Sequence, residues 1–173
     1  VNQMAAYYKK NNLTYDKYTG SLSEYNGILA KGGAANIEIY CTIFKQEAEV
    51  EGVRVEVAFT QAMLETGFLK FGGDVKPDQY NFAGMGATGG ISGEKFSDVR
   101  EGIRAQIQHL KCYASDAALN NACVDPRWGT WLRNKALYVQ WLSKANNPYG
   151  IGWATDAEYS EKILSMIKSL KAN

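Results

Sequence analysis

The stretch AFTQAMLETGFLKFGG, from Ala58 to Gly73, sets a single glutamate at the end of an almost wholly apolar run, with glycine-rich chain directly after it. At roughly 100° per residue, Val53, Val55, Val57, Ala58, Phe59, Ala62, Met63 and Leu64 take up most of a helix circumference. Arg54, Gln61 and Glu65 share the one polar stripe that remains. In a last helical turn the unpaired carbonyls and the helix dipole disfavour negative charge. Apolar neighbours disfavour it further by desolvation. A carboxyl biased toward its protonated form at neutral pH is what a general acid requires, so Glu65 is a candidate for that role, the plainer reading being a partly exposed glutamate that closes a helix.

The other reactive side chains carry less. Glu94 follows Gly93 in a presumed turn and reads on its own as a solvated charge. Asp98 and Glu101 have the spacing of a helix capping box, and Asp74 and Asp78 read as loop charges. His109 is the sole histidine, which excludes a histidine-rich metal site, and no ligand cluster calls for a metal or another cofactor. His109 and Cys112 share a helical stretch, but a nucleophilic thiol belongs at a helix N-terminus and Cys112 falls near a C-terminus. Cys41, Cys112 and Cys123 make an odd set without a C-x-x-C pair and read as small buried hydrophobes.

The elements that must position Glu65 are mainly helical. Ser21 and Glu24 form a capping box for one helix in the Tyr-rich N-terminal region, with Gly32 at its C-cap. Ile37, Tyr40, Ile43, Phe44 and Ala48 give a helix from Asn36 to Glu51, and the Glu65 helix runs from about Val53 to Thr66 before Gly67 stops it. Periodicity then collapses: NFAGMGATGGISGEKF reads as a small irregular hairpin with a Gly-Gly turn. Helix resumes at Asp98, burying Val99, Ile103, Ile107, Leu110 and Ala114, and further helix is expected from Trp131 to Lys144. A last helix is expected to start at Thr155, with Glu158 completing its cap, and to bury Tyr159, Ile163, Met166, Ile167 and Leu170.

At 173 residues, 46% hydrophobic and 21% charged, the chain suits one globular domain with a substantial core. A net charge of +1 gives no basic surface for nucleic acid, and no apolar run is long enough to span a membrane. The chain opens without Met and without a basic-then-apolar leader, which reads as a segment of a longer precursor.

Four pieces, in order, carry a resemblance: EGVRVEVAFTQAMLETG, then YNFAGMGATGG, then FSDVREGIRAQIQHLKCYAS, then WATDAEYSEKI. Together they resemble the glucosaminidase domain of glycoside hydrolase family 73, in the lysozyme-like superfamily, over roughly residues 28–167. The resemblance implies a mainly α, α+β lysozyme-like fold, with a helical lobe and a small β-hairpin lobe flanking a substrate groove. It divides the chain into an N-terminal extension, 1–33, and a catalytic domain, 34–173. It implies a secreted, cell-wall peptidoglycan hydrolase, an autolysin or phage lysin, which cuts the β-1,4 bond after N-acetylglucosamine in glycan strands. A monomer is expected, with no nucleic-acid or membrane partner.

By that resemblance Glu65 is the general acid, and Glu94 is the one β-lobe glutamate available as a second catalytic carboxylate. Substrate assistance by the sugar acetamide is the alternative, with Tyr159, the tyrosine of the late signature, orienting that group. Gln61, Tyr80, Asn81, Phe82, Gly84 and Trp153 are the expected groove residues, Trp153 standing where the signature usually has tyrosine. Trp128, Trp131 and Trp141 suit core and groove equally. Two other readings fit the same residues: a lytic transglycosylase cutting after N-acetylmuramic acid, and a wall-binding module without catalysis.

Overall fold

The computed structural model describes residues 1–12 and 27–173; the Ser21–Glu24 capping box lies outside them. Within the described residues the helices are α1 (Asn2–Asn11), α2 (Ile28–Lys31), α3 (Ile37–Glu51), α4 (Val55–Thr66), α5 (Val99–Ala114) and α6 (Tyr159–Lys171). One two-stranded antiparallel sheet, β1 (Ala87–Thr88) and β2 (Ile91–Ser92), completes an α+β, lysozyme-like plan. No helix among the described residues is long and apolar enough to cross a membrane.

Local chemistry fixes the helix ends. The Asn36 side chain accepts from Ile39 N–H at 2.9 Å to start α3, and Gly52 ends it in the left-handed region. Asp98 accepts from Glu101 N–H at 2.8 Å to start α5, while the Glu101 carboxylate reaches back to Ser97 N–H at 2.6 Å. The last helix departs from expectation. Thr155 does not cap it; Asp156 makes the preceding turn, accepting from Glu158 N–H at 2.9 Å, and α6 begins only at Tyr159.

The segment 131–144 is not a helix. It forms short 3₁₀ turns, Thr130–Leu132, Val139–Leu142 and Lys144–Asn146, interrupted where Asn134 takes φ 58°. Asn147 holds this irregular chain, donating to Lys135 O at 2.6 Å and Trp141 O at 2.8 Å. The cysteines also differ from expectation: Cys41 and Cys112 are buried, but Cys123 is exposed.

Helix α4 is the centre of the fold, in contact with α1, α3, α5 and α6. All seven residues from Val57 to Met63 are buried. Phe59 meets Phe44 edge-on at 5.8 Å, and Tyr40 meets Phe82 edge-on at 5.1 Å. Each such buried side chain contributes about 1.5–3 kcal/mol relative to exposure. Helix α1 joins this core through Met4, Ala5, Tyr7 and Tyr8.

The chain leaves α4 under strain. Gly67 takes φ 58°, and Phe68, Leu69 and Phe71 follow with positive φ of 57°, 61° and 57°. Each β-carbon-bearing residue there costs about 1–2 kcal/mol. Packing offsets the cost: Leu69 is fully buried, and the Phe68 and Phe71 rings meet Tyr7 and Phe82. Thr66 Oγ1 accepts from Leu69 N–H at 3.0 Å. A sharp, packed reversal therefore follows directly after Glu65 and turns the chain toward the β-lobe.

Candidate active site

The β-lobe is too small to hold itself by its ladder, which pairs only two residues a side. Side-chain amides substitute for it. Gln79 Nε2 donates to Ser92 O at 2.7 Å, and its Oε1 accepts from Lys76 N–H at 2.6 Å. Asn81 Nδ2 donates to Met85 O at 2.8 Å and to Glu94 O at 3.2 Å, while its Oδ1 accepts from Met85 N–H. Trp153 Nε1 donates to Ala83 O at 3.2 Å and ties the lobe to the helices.

Between the lobes, two cavities of 180 and 270 Å³ share Gly84 and Ala87 as lining residues. Glu65, Thr66, Phe71, Asp74 and Asn81 line the smaller. His109, Tyr113, Arg127, Trp131 and Trp153 line the larger. A larger cavity, 820 Å³, lies elsewhere, between the ends of α3 and α5 and the 136–142 segment. Size does not select it for chemistry. Its buried carboxylate, Glu51, is consumed by Lys111 Nζ at 2.8 Å and by the N–H groups of Asn120 and Asn121.

Glu65 is exposed to the cleft as a residue, yet protein surrounds most of its carboxyl. It is therefore reachable while its ionised form is poorly solvated. That desolvation raises its pKa above the usual carboxylate value, and a hydrogen bond from Tyr159 opposes the rise. Tyr159 Oη donates to Glu65 Oε1 at 2.6 Å. The other oxygen, Oε2, faces Gly84: a β-carbon built there would sit 3.2 Å from it, and Gly84 has φ 65°. Glycine is required twice over at this position, by the backbone and by the acid.

Behind Tyr159 stands a chain of amides. Gln61 Nε2 donates to Tyr159 Oη at 3.0 Å, and Gln106 Nε2 donates both to Gln61 Oε1 at 2.9 Å and to Ala58 O at 2.8 Å. Both glutamines are fully buried. Gln61 is thus not on an open stripe, as its helical position implied; it lies under the acid. Burial lifts the Tyr159 hydroxyl well above its ordinary pKa, and the neighbouring Glu65 carboxyl adds to that.

The other expected site residues divide. Asn81, Gly84 and Trp153 line the cleft. Phe82 is fully buried among Tyr40 and Phe71, and Tyr80 turns its hydroxyl to Ile28 O at 3.0 Å and its ring over Gly32. Glu94 lies with its carboxyl against Gly86 and is not among the residues lining the Glu65 cavity, where Asp74 is the second carboxylate. Asp74 accepts from Gly90 N–H at 3.1 Å at the hairpin tip.

Trp131, equally suited to core or groove by sequence, is 64% exposed on the cleft rim, whereas Trp128 and Trp141 pack on the core. His109 does not meet Cys112: its Nδ1 pairs with Asp125 at 2.8 Å and its ring lies edge-on to Trp153 at 4.8 Å. Burial pushes the Cys112 thiol up in pKa, away from nucleophilic use. No cluster of three or more metal-ligating side chains occurs among the described residues.

Two lobes about a cleft, with a carboxyl at the end of the central buried helix, make a lysozyme-like fold. The chain belongs to the glucosaminidase family, whose model, described as mannosyl-glycoprotein endo-β-N-acetylglucosaminidase, matches residues 41–172. A protein of Borreliella burgdorferi, described as uncharacterised, is 39% identical over 125 residues, covering 72% of this chain and 58% of its own length. The chain thus spans little more than half of that relative. No solved structure matches the chain.

Proposed function

We propose that this chain hydrolyses the β-1,4 bond after N-acetylglucosamine in peptidoglycan glycan strands, with Glu65 as general acid. The single observation that carries the reading is the Glu65 carboxyl, held at Oε1 by Tyr159 and open to the cleft past Gly84. Without a proton from Glu65 the departing sugar oxygen would leave as an alkoxide. The catalytic unit in this reading is 34–173, preceded by an N-terminal extension, 1–33, and it acts as a monomer secreted to the cell wall.

Mass spectrometry of digested peptidoglycan tests the bond. New reducing N-acetylglucosamine ends are expected; anhydro-muramic ends would make the chain a lytic transglycosylase, and intact strands would leave a binding module. The anomeric configuration of the first product assigns the second catalytic role. Inversion gives it to a carboxylate, Asp74 or Glu94, acting on water, and excludes the acetamide. Retention without a covalent adduct gives it to the substrate acetamide. In that case Tyr159 works through the acid, because its hydroxyl is already engaged by Gln61 and Glu65.

Sugar rings present apolar faces that stack on exposed aromatics. Trp131 offers such a face on the rim, with Trp153 deeper in the same cavity. Trp131→Ala is expected to raise KM on glycan strands by about 2- to 10-fold, the worth of one aromatic contact, with kcat nearly unchanged. Steady-state kinetics on solubilised strands checks this, and an unchanged KM would remove Trp131 from the substrate path.

A further inference from the structure

We infer that Gln106 is a positioning residue that sets which oxygen of Glu65 carries the catalytic proton, acting through Gln61 and Tyr159. The inference rests on Glu65 being the acid and goes beyond that assignment.

The argument follows donors and acceptors along one chain. Ala58 O can only accept, so the atom of Gln106 facing it at 2.8 Å must be the amino group. That same nitrogen gives its second hydrogen to Gln61 Oε1 at 2.9 Å. The Gln61 carboxamide is thereby fixed with Nε2 toward Tyr159 Oη, at 3.0 Å. Tyr159 has one hydroxyl hydrogen, and with its oxygen already accepting, that hydrogen goes to Glu65 Oε1 at 2.6 Å. Oε1 is held as an acceptor. The acid proton must then reside on Oε2, the oxygen beside Gly84 at the cleft.

The reverse order would place Gln106 Oε1 against Ala58 O, two acceptors face to face. In the observed order Gln106 Oε1 is buried without a hydrogen-bond partner. Leaving that atom unpaired makes sense if the amino group is needed for two acceptors at once. Both glutamines are fully buried, so water does not compete for their orientation. Each donated bond polarises the next, so Gln106 strengthens the final donation to Glu65 although it never touches the carboxyl.

The titratable side chains facing Glu65 are Tyr159 from α6 and Asp74 across the cavity. Tyr159, Gln61 and Gln106 are neutral, so the chain acts by orientation and bond strength and adds no charge to the site.

The test is kinetic, on purified peptidoglycan, with Gln106→Met, Tyr159→Phe and the double variant. Gln106→Met is expected to lower kcat about 5- to 10-fold with KM unchanged, the effect of weakening one hydrogen bond. A weaker bond to Oε1 favours the protonated acid, so the alkaline limb of the pH–rate profile moves to higher pH. In the Tyr159→Phe background Gln106→Met should cost nothing more, because the chain is already cut. Equal fold losses in both backgrounds, or an alkaline limb that stays in place, would overturn the inference. Should Gln106→Met fail to fold, Gln61→Met cuts the same chain and carries the same expectations. Glu65→Gln separates the two levels: an active Glu65→Gln defeats the acid assignment itself, while an inactive one beside additive Gln106 effects defeats only the relay.

Discussion

Glu65→Gln is expected to fold and to lose about 10²- to 10⁴-fold or more of the turnover rate on peptidoglycan. The substituted amide keeps an oxygen able to accept from Tyr159, so the hydrogen bond now at 2.6 Å survives and the cleft keeps its shape. What disappears is the transferable proton, since an amide N–H is far too weak an acid to supply one. Stability should hold or rise. Burial disfavours the ionised form of Glu65, and a neutral side chain relieves that cost at neutral pH. Turnover and thermal denaturation measured on the same preparation check both halves. Near-wild-type turnover by the Gln variant would remove Glu65 as the proton donor.

The second large effect is on stability, far from the cleft. Lys111→Met should destabilise the protein by about 3–5 kcal/mol, because it leaves the Glu51 carboxylate buried without its cation. Glu51 is fully buried and Lys111 nearly so, at 0% and 7% side-chain exposure. The Asn120 and Asn121 N–H groups remain on the carboxylate, at 3.0 Å each, which sets the expectation toward the lower end of that range. Chemical denaturation of the two proteins at pH 7 gives the difference directly; a loss under 1 kcal/mol would show that the backbone donors alone suffice.

The same carboxylates fix the sign of the acid response. Burial alone would raise the Glu51 pKa, but Lys111 and the two N–H groups reverse this and hold it below the ordinary value. At Glu47 burial is likewise outweighed, by Arg104 at 2.8 Å and Arg100 at 2.7 Å. A depressed folded pKa contributes stability that is complete above the unfolded value, about 4.3, and is lost as pH falls through the folded one. The protein should therefore weaken below about pH 4.5, and Lys111→Met should make that decline shallower.

What the sequence disclosed is what short-range chemistry decides. Helices α3 and α5 were legible because Asn36 and Asp98 cap residues three positions away, and the hairpin because two glycines occupy its turn. Glu65 was legible by contrast with its apolar surroundings. The 131–144 segment misled because it is apolar-rich and free of glycine and proline. Its conformation is decided instead by Asn147 and by Ala136 N–H donating to Tyr113 O, contacts invisible to local periodicity. Gln106 could not be singled out for the same reason: its partner Gln61 lies 45 positions away, and Tyr159 lies 98 beyond Gln61. A buried polar residue announces itself only once its neighbours are known. One signal was present, since Gln106 falls among Ile103, Ile107 and Leu110 on an apolar helix face, and a buried amide there must find a partner.

The unequal burial of the three cysteines has a practical side. A maleimide dye should attach at one place, Cys123, since Cys41 and Cys112 are shielded. Asp125, whose carbonyl lies 3.6 Å from the Cys123 sulfur, also grips the imidazole that lines the tryptophan-bearing half of the cleft. A fluorophore there is expected to change its emission when a ligand fills that half of the cleft, and it needs no engineered codon.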